Sequence, residues 1–224
     1  TFTFRIRQGV RFHSGNALTA ADVVFSLRRP LQINRTPAFM YRSVGLTADN
    51  IEQTVRQTGE FEVQVTFDQA YAPTLIQNLF TATIGSIVDS RLVQQNAGED
   101  RGNTWLNRNS AGSGAYRLTR YQPNESYMLD RNDSWWRGRA NLQRVIVRHV
   151  PEAATQRLLL ERGDVDVARN LTPTDITALR GRPGLTIQEF PRGTIQYFSA
   201  NMGDPILSNP KVIEALKHLS LIHI

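Results

Sequence analysis

The chain has 224 residues, 40% of them hydrophobic and 21% charged, with 15 Gly, 10 Pro and no Cys, which excludes a disordered or collagen-like chain and allows one large domain or two small ones. No apolar run approaches the roughly 18 residues of a membrane-spanning helix. A net charge of +6 raises nucleic-acid binding, yet only Lys211 and Lys217 are lysines and Arg28-Arg29 is the only adjacent pair among arginines scattered from Arg5 to Arg192, so no basic arm or basic recognition helix is present.

The opening T-F-T-F-R-I-R alternates apolar and polar residues as a half-buried strand does. Gly9 and the cluster His13-Ser14-Gly15-Asn16 predict turns. Thr19 followed by Asp22 has capping-box spacing and predicts a helix over residues 20–29, with Val23, Val24 and Leu27 on one face and Pro30 as its stop. Residues 31–47 read as irregular. Residues 51–56 and 62–67 flank T-G-E-F as a hairpin, and Pro73 opens a helix through Phe80. A buried strand is predicted over 84–88, a short helix over 90–96, and a polar loop over 97–110 leading to A-G-S-G-A-Y. Residues 116–121 and 126–131 form strands around Q-P-N-E, a type I turn sequence. Trp135-Trp136 then sits in a loop, and Val145 and Val147 mark another strand. A helix over 152–162 carries Ala154, Leu158 and Leu159 at core spacing and ends at Gly163. D-V-D-V-A, residues 185–190 and residues 194–201 read as strands, and helices start at Thr172-Pro173 and Asn209-Pro210. Strands and helices without strict alternation predict an α/β or α+β fold with a mixed sheet.

Little in this pattern carries bond-making chemistry. The four histidines lie far apart with no His-x-x-x-His, and no cysteine completes a zinc set; G-x-S-x-G is missing. Gly112 and Gly114 precede a strand rather than a helix, so they read as close backbone approach or as backbone lining a cleft, not as a phosphate loop. Asp164 and Asp166 could pair for acid–base work on one strand face, but with Val165 and Val167 inward both read as solvated. Phe39, Met40 and Tyr41, aromatic or apolar residues in an irregular segment, are the side chains best suited to touch a ligand.

Five ordered segments resemble the family 5 extracellular solute-binding proteins of ABC importers. T-F-T-F-R-I-R-Q-G-V-R-F-H-S-G-N-A-L-T-A-A-D-V-V-F-S-L-R-R is similar to that family's F-H-x-G and L-T-A-x-D-V-V region, and G-S-G-A-Y-R-L to its G-T-G-P-Y motif. L-D-R-N-D-S-W-W-R-G, E-A-A-T-Q-R-L-L-L-E-R-G-D-V-D-V-A and the helix from Asn209 resemble three later blocks, with Ser113 and Ala115 as departures.

The resemblance implies a periplasmic binding protein-like type II fold of two lobes, with an oligopeptide, dipeptide, glutathione-like, opine or nickel-chelate ligand between them and permease subunits as partners. It implies no catalysis, cofactor, metal or nucleic acid, a monomer, and a periplasmic or lipid-anchored location. It maps residues 1–193 to most of the first lobe and 194–218 to a crossover strand and the start of the second. Phe39 and Tyr41 fall near a pocket wall, and Gly112, Gly114 and Tyr197 near the hinge side. Residues 219–224, L-S-L-I-H-I, resemble a translated sequencing adaptor, so the chain is expected to be an internal fragment. The rivals are an enzyme using Asp164 and Asp166 and a nucleic-acid binder using scattered arginines.

Overall fold

The structure, a computed structural model, describes residues 1–191, 193, 197 and 199–219. The chain divides into two compact units, Thr1–Pro151 and a second from Glu152 onward.

In the first unit, strand β1 (Phe2–Arg5) is followed by α1 (Ala20–Ile33), the short turns α2 (Phe39–Arg42) and α3 (Ile51–Thr54), and strands β2 (Val55–Gly59) and β3 (Glu62–Val65). Helices α4 (Pro73–Thr81), α5 (Ser90–Gln95) and α6 (Asn103–Leu106) lead to strands β4 (Tyr116–Gln122), β5 (Ser126–Arg131) and β6 (Arg144–Arg148). The second unit holds α7 (Ala153–Arg162), α8 (Pro173–Leu179) and α9 (Pro210–Leu219).

Sheet one has the order β1-β3-β2 and sheet two β4-β5-β6. Both are antiparallel, so a mixed sheet does not form among the described residues although the α-and-β class stands. Alternation along β3 turns Val63 and Val65 inward, and both are fully buried. Against them pack α1, through Val23, Val24, Leu27 and Leu31, and the rings of Phe2 and Phe4. Phe4 meets Phe80 edge-on with centroids 5.5 Å apart. All of this apolar core comes from residues 2–87.

Several predicted elements shift once their partners are known. Pro30 lies inside α1 instead of ending it: Leu31 is buried beyond it, and the helix closes at Asn34, a left-handed cap whose amide donates to the Pro30 carbonyl at 3.0 Å. Residues 51–54 form a helical turn, which shortens the hairpin to β2 and β3. Residues 84–88 make no strand: Ile84 sits in a 3-10 turn, and the Val88 amide donates to the Ser26 hydroxyl at 3.0 Å. The Q-P-N-E turn has Asn124 at φ 59°, the mark of a type II rather than a type I turn.

Residues 164–168 and 185–190 stay outside any sheet. Alternation specifies a strand only where a neighbour offers a ladder, and here the Asp164 amide instead donates to Leu159 at 2.9 Å, closing α7. Val167 and Phe190 are exposed, as is Leu158, and no residue of α7 is buried. The predicted strand 194–201 falls largely on residues 194–196 and 198, outside those described, as do residues 220–224 of the terminal hexapeptide.

Gly85 has a steric duty that the sequence does not announce. A Cβ there would lie 2.2 Å from the Phe80 carbonyl oxygen, which belongs to the backbone and cannot swing away. Gly85→Ala is therefore expected to destabilise the protein by about 2–3 kcal/mol, read as a lower urea midpoint at constant m-value.

Candidate functional site

The F-H-S-G-N and L-T-A-A-D segments build a hydrogen-bonded cluster around two buried carboxylates. Asp22 closes the N-terminal turn of α1: its Oδ2 accepts from the Thr19 amide at 2.9 Å. Its Oδ1 reaches across the fold and accepts from the Ser90 amide at 3.1 Å and the Ser90 hydroxyl at 2.6 Å. Asp89, with no exposed surface, accepts from the Ser14 hydroxyl at 2.5 Å, the Asn16 amide group at 2.8 Å and the Leu92 backbone amide at 3.1 Å. Burial works against its charge, but these donors and the charge of Arg91 outweigh burial and hold the Asp89 carboxyl below the usual carboxylate range.

This cluster fixes the Gly112–Gly114 segment. The Asp89 amide donates to Ala111 at 2.8 Å and the His13 amide to Gly112 at 2.9 Å. The His13 ring spans the next turn, Nε2 donating to the Gly114 carbonyl at 2.9 Å, which leaves Nδ1 to accept from the Ser110 hydroxyl at 3.3 Å. Asn132 secures the same carbonyl from the other side at 3.1 Å. His13 is thus a clamp on backbone, with no carboxylate behind its ring to make it a general base.

Beside the clamp opens a cleft of about 250 Å³, lined among others by His13, Trp105, Arg108, Ser110, Arg117 and Tyr121. Among the described residues no Asp or Glu lines it. Its chemistry is hydrogen-bond donors, guanidinium groups and aromatic faces, suited to a polar solute carrying negative charge. Among the described residues no group of His, Cys, Asp and Glu could hold a metal ion, and no described helix is long and apolar enough to cross a membrane.

The structure separates the residues that the sequence nominates. Tyr41 is completely buried, its hydroxyl donating to the Ile84 carbonyl at 3.2 Å and its ring meeting Phe80 edge-on. It belongs to the core and has no surface to offer a ligand. Phe39, two residues earlier on α2, is exposed. Gly112 and Gly114 stand next to the cleft, but neither has a positive φ, and an added Cβ would meet atoms no closer than 3.8 and 3.9 Å. Close backbone approach therefore does not explain them. Tyr197 lies in the second unit and is exposed. Asp164 and Asp166 are exposed in an irregular segment, not paired on a strand. Trp136 is exposed and lies against two guanidinium groups, with Arg7 4.7 Å and Arg137 5.3 Å from its ring centre.

The sequence reading missed Trp105, Arg117 and Tyr121. The last two were legible only as outward residues of a strand, and nothing local to Trp105 shows that it shares a cleft with β4.

The family model described as bacterial extracellular solute-binding proteins, family 5 Middle, matches residues 1–219. The probable D,D-dipeptide-binding periplasmic protein DdpA of Escherichia coli is 29% identical over 89% of this chain and 37% of its own length. Di/tripeptide-binding protein 2 of Pseudomonas aeruginosa is 25% identical over 96% of this chain and 42% of its own. Among solved structures, the periplasmic binding protein DppA of Helicobacter pylori, in complex with the peptide STSA, superposes with a TM-score of 0.77 at 20% identity, over 96% of this chain and 44% of that one. NikZ of Campylobacter jejuni, in complex with Ni(L-His), gives 0.74 at 18% identity over 97% and 41%. These two place the fold among periplasmic binding proteins, and the chain spans about two fifths of the length of the proteins it matches.

Proposed function

The chain belongs to family 5 of the bacterial extracellular solute-binding proteins, and from that membership we propose that it is part of the extracytoplasmic binding component of an ABC importer. On this reading the whole protein encloses a peptide-like solute between two lobes and presents the closed form to membrane permease subunits. It works as a monomer in the periplasm or on a lipid anchor, without turnover, cofactor or metal. Residues 1–193 are assigned to the first lobe and residues 194–218 to the crossing into the second.

The match over residues 1–219 carries the proposal. The arginine-lined cleft beside Gly112 and Gly114 supports it, because a peptide's carboxyl group needs cations and hydrogen-bond donors. Binding energy would be used to favour the closed state, since a solute shifts a two-state equilibrium only by its differential affinity.

Titration calorimetry of the full-length protein with di- to pentapeptides is expected to show saturable binding; no binding to any peptide, metal chelate or opine would overturn the proposal. Gly114→Ala separates a cleft role from a structural one. Because the backbone and the space tolerate a methyl group, it is expected to leave stability within about 0.5 kcal/mol. If Gly114 borders the solute, the same substitution weakens binding about tenfold, or about 1.4 kcal/mol. Unchanged affinity would remove Gly114 from the site.

A further inference from the structure

Sheet two, which lies entirely within the first unit, carries its charge on one face. The register from β4 through β5 to β6 puts three rows of side chains there: Arg117, Asp130 and Arg144, then Arg120, Met128 and Ile146, then Gln122, Ser126 and Arg148. Successive rows are two residues apart, so the patch measures about 13 Å along the strands and about 10 Å across them. Its four arginines are exposed, and Ile146 is 57% exposed among them. Asp130 is the one acid on the face, and it already accepts from Arg144 Nε at 2.5 Å. Arg120 and Arg148 have no ion-pair partner among the described residues.

The opposite face of the same sheet is apolar, with Leu118, Leu129 and Val145 in one row and Val147 in the next. Another segment of a longer protein can pack on that face. Covering the first would bury four guanidinium groups against a single carboxylate, a cost that ion pairing does not offset. The arginine face is therefore a surface of the whole protein. Arg117 and Arg120 also border the cleft at His13, along the β4 edge, but the patch continues across β5 and β6, which that cleft does not reach. Dispersed cations around an exposed isoleucine on a flat sheet complement a plane of phosphates with apolar matter beneath it. A single acidic peptide would satisfy one row of this patch, not three.

We infer that this face of sheet two docks the protein on a bilayer surface rich in anionic phospholipid. The guanidinium groups donate to headgroup phosphates, and Ile146 enters the interface among them. The inference does not depend on the peptide-binding proposal.

The test is co-sedimentation of the full-length polypeptide, free of acyl modification, with vesicles of phosphatidylcholine alone or with about one third phosphatidylglycerol. Binding to the anionic vesicles is expected to be at least about tenfold stronger and to vanish in about 0.5 M sodium chloride, which screens exposed charges. Arg148→Gln, outside the cleft, should weaken it about fivefold, and Asp130→Asn should strengthen it by about the same factor by releasing Arg144. Arg56→Gln, which removes the same charge from an exposed position on β2, should change it by less than about twofold. Equal or absent binding to the two vesicles, binding that survives the salt, no gain in Asp130→Asn, or Arg148→Gln behaving as Arg56→Gln would each overturn the inference. Tighter binding to poly-L-glutamate or to duplex DNA than to the vesicles would assign the face to another polyanion and overturn it as well. Should Arg148→Gln fail to fold, the vesicle comparison, the salt dependence and Asp130→Asn still decide it.

Discussion

Tyr41→Ala is expected to lower the free energy of unfolding by about 3–5 kcal/mol, the cost of removing a large buried side chain whose surroundings relax only in part. The ring lies in the middle of the core, edge-on to Phe80 with centroids 6.0 Å apart, and burial pushes its phenol well above the ordinary tyrosine range. Tyr41→Phe separates packing from hydrogen bonding: it keeps the ring, strands only the Ile84 carbonyl, and should cost about 1 kcal/mol. Urea unfolding followed by tryptophan fluorescence measures both. Peptide affinity of the Tyr41→Phe protein should equal that of the unaltered one, and a loss beyond threefold would return Tyr41 to the binding surface.

Asp89→Ala should cost about 3 kcal/mol, because it strands the Ser14 hydroxyl, the Asn16 amide group and the Leu92 amide at about 1 kcal/mol each. A pH dependence accompanies it. The folded carboxyl titrates below its unfolded counterpart, so the native state binds fewer protons than the unfolded one. Its stabilising contribution is complete above the unfolded value near pH 4 and disappears as pH falls through the lower folded value. The unaltered protein should therefore lose urea resistance below about pH 4 more steeply than Asp89→Asn, whose amide does not titrate. Parallel curves for the two proteins would show that Asp89 is not the group responsible.

What the sequence made legible and what it hid divide along the range of the interactions. The capping box at Thr19 and Asp22, the Pro73 start of α4, the Gly163 cap and the strands around Gln122 are decided within a few residues, and each forms where the pattern places it. The family was legible too, through spaced segments that match as a set. Hidden were outcomes set by distant partners. The exposed-looking F-M-Y segment contains a core tyrosine because Phe80 and Ile84 come to meet it. Residues 84–88 look like a buried strand, but the Ser26 hydroxyl takes the amide that a ladder would need. Asp89, which the sequence reading passed over, caps α5 through the Leu92 amide and takes Ser14 and Asn16, far away in the chain, as further donors. For the cleft, the sequence nominated Gly112 and Gly114, which stand next to it, but not the arginine and aromatic side chains that line it, which come from residues 105–121.

The cluster around Asp22 and Asp89 also sets an order of events during synthesis. Its bonds join Ser14 to Asp89, Asp22 to Ser90 and His13 to Gly114, spans of 75, 68 and 101 residues. A nascent chain that has emerged only through α1 holds the capping box but neither the distant partners of its carboxylates nor the segment His13 clamps. Closing loops of this length carries an entropic cost that only the complete set of contacts offsets. The apolar core has all its members once residue 87 has emerged, whereas the polar bonds of Ser14, Asp22 and His13 wait for residues 89–114, so packing precedes the fastening of the carboxylate cluster.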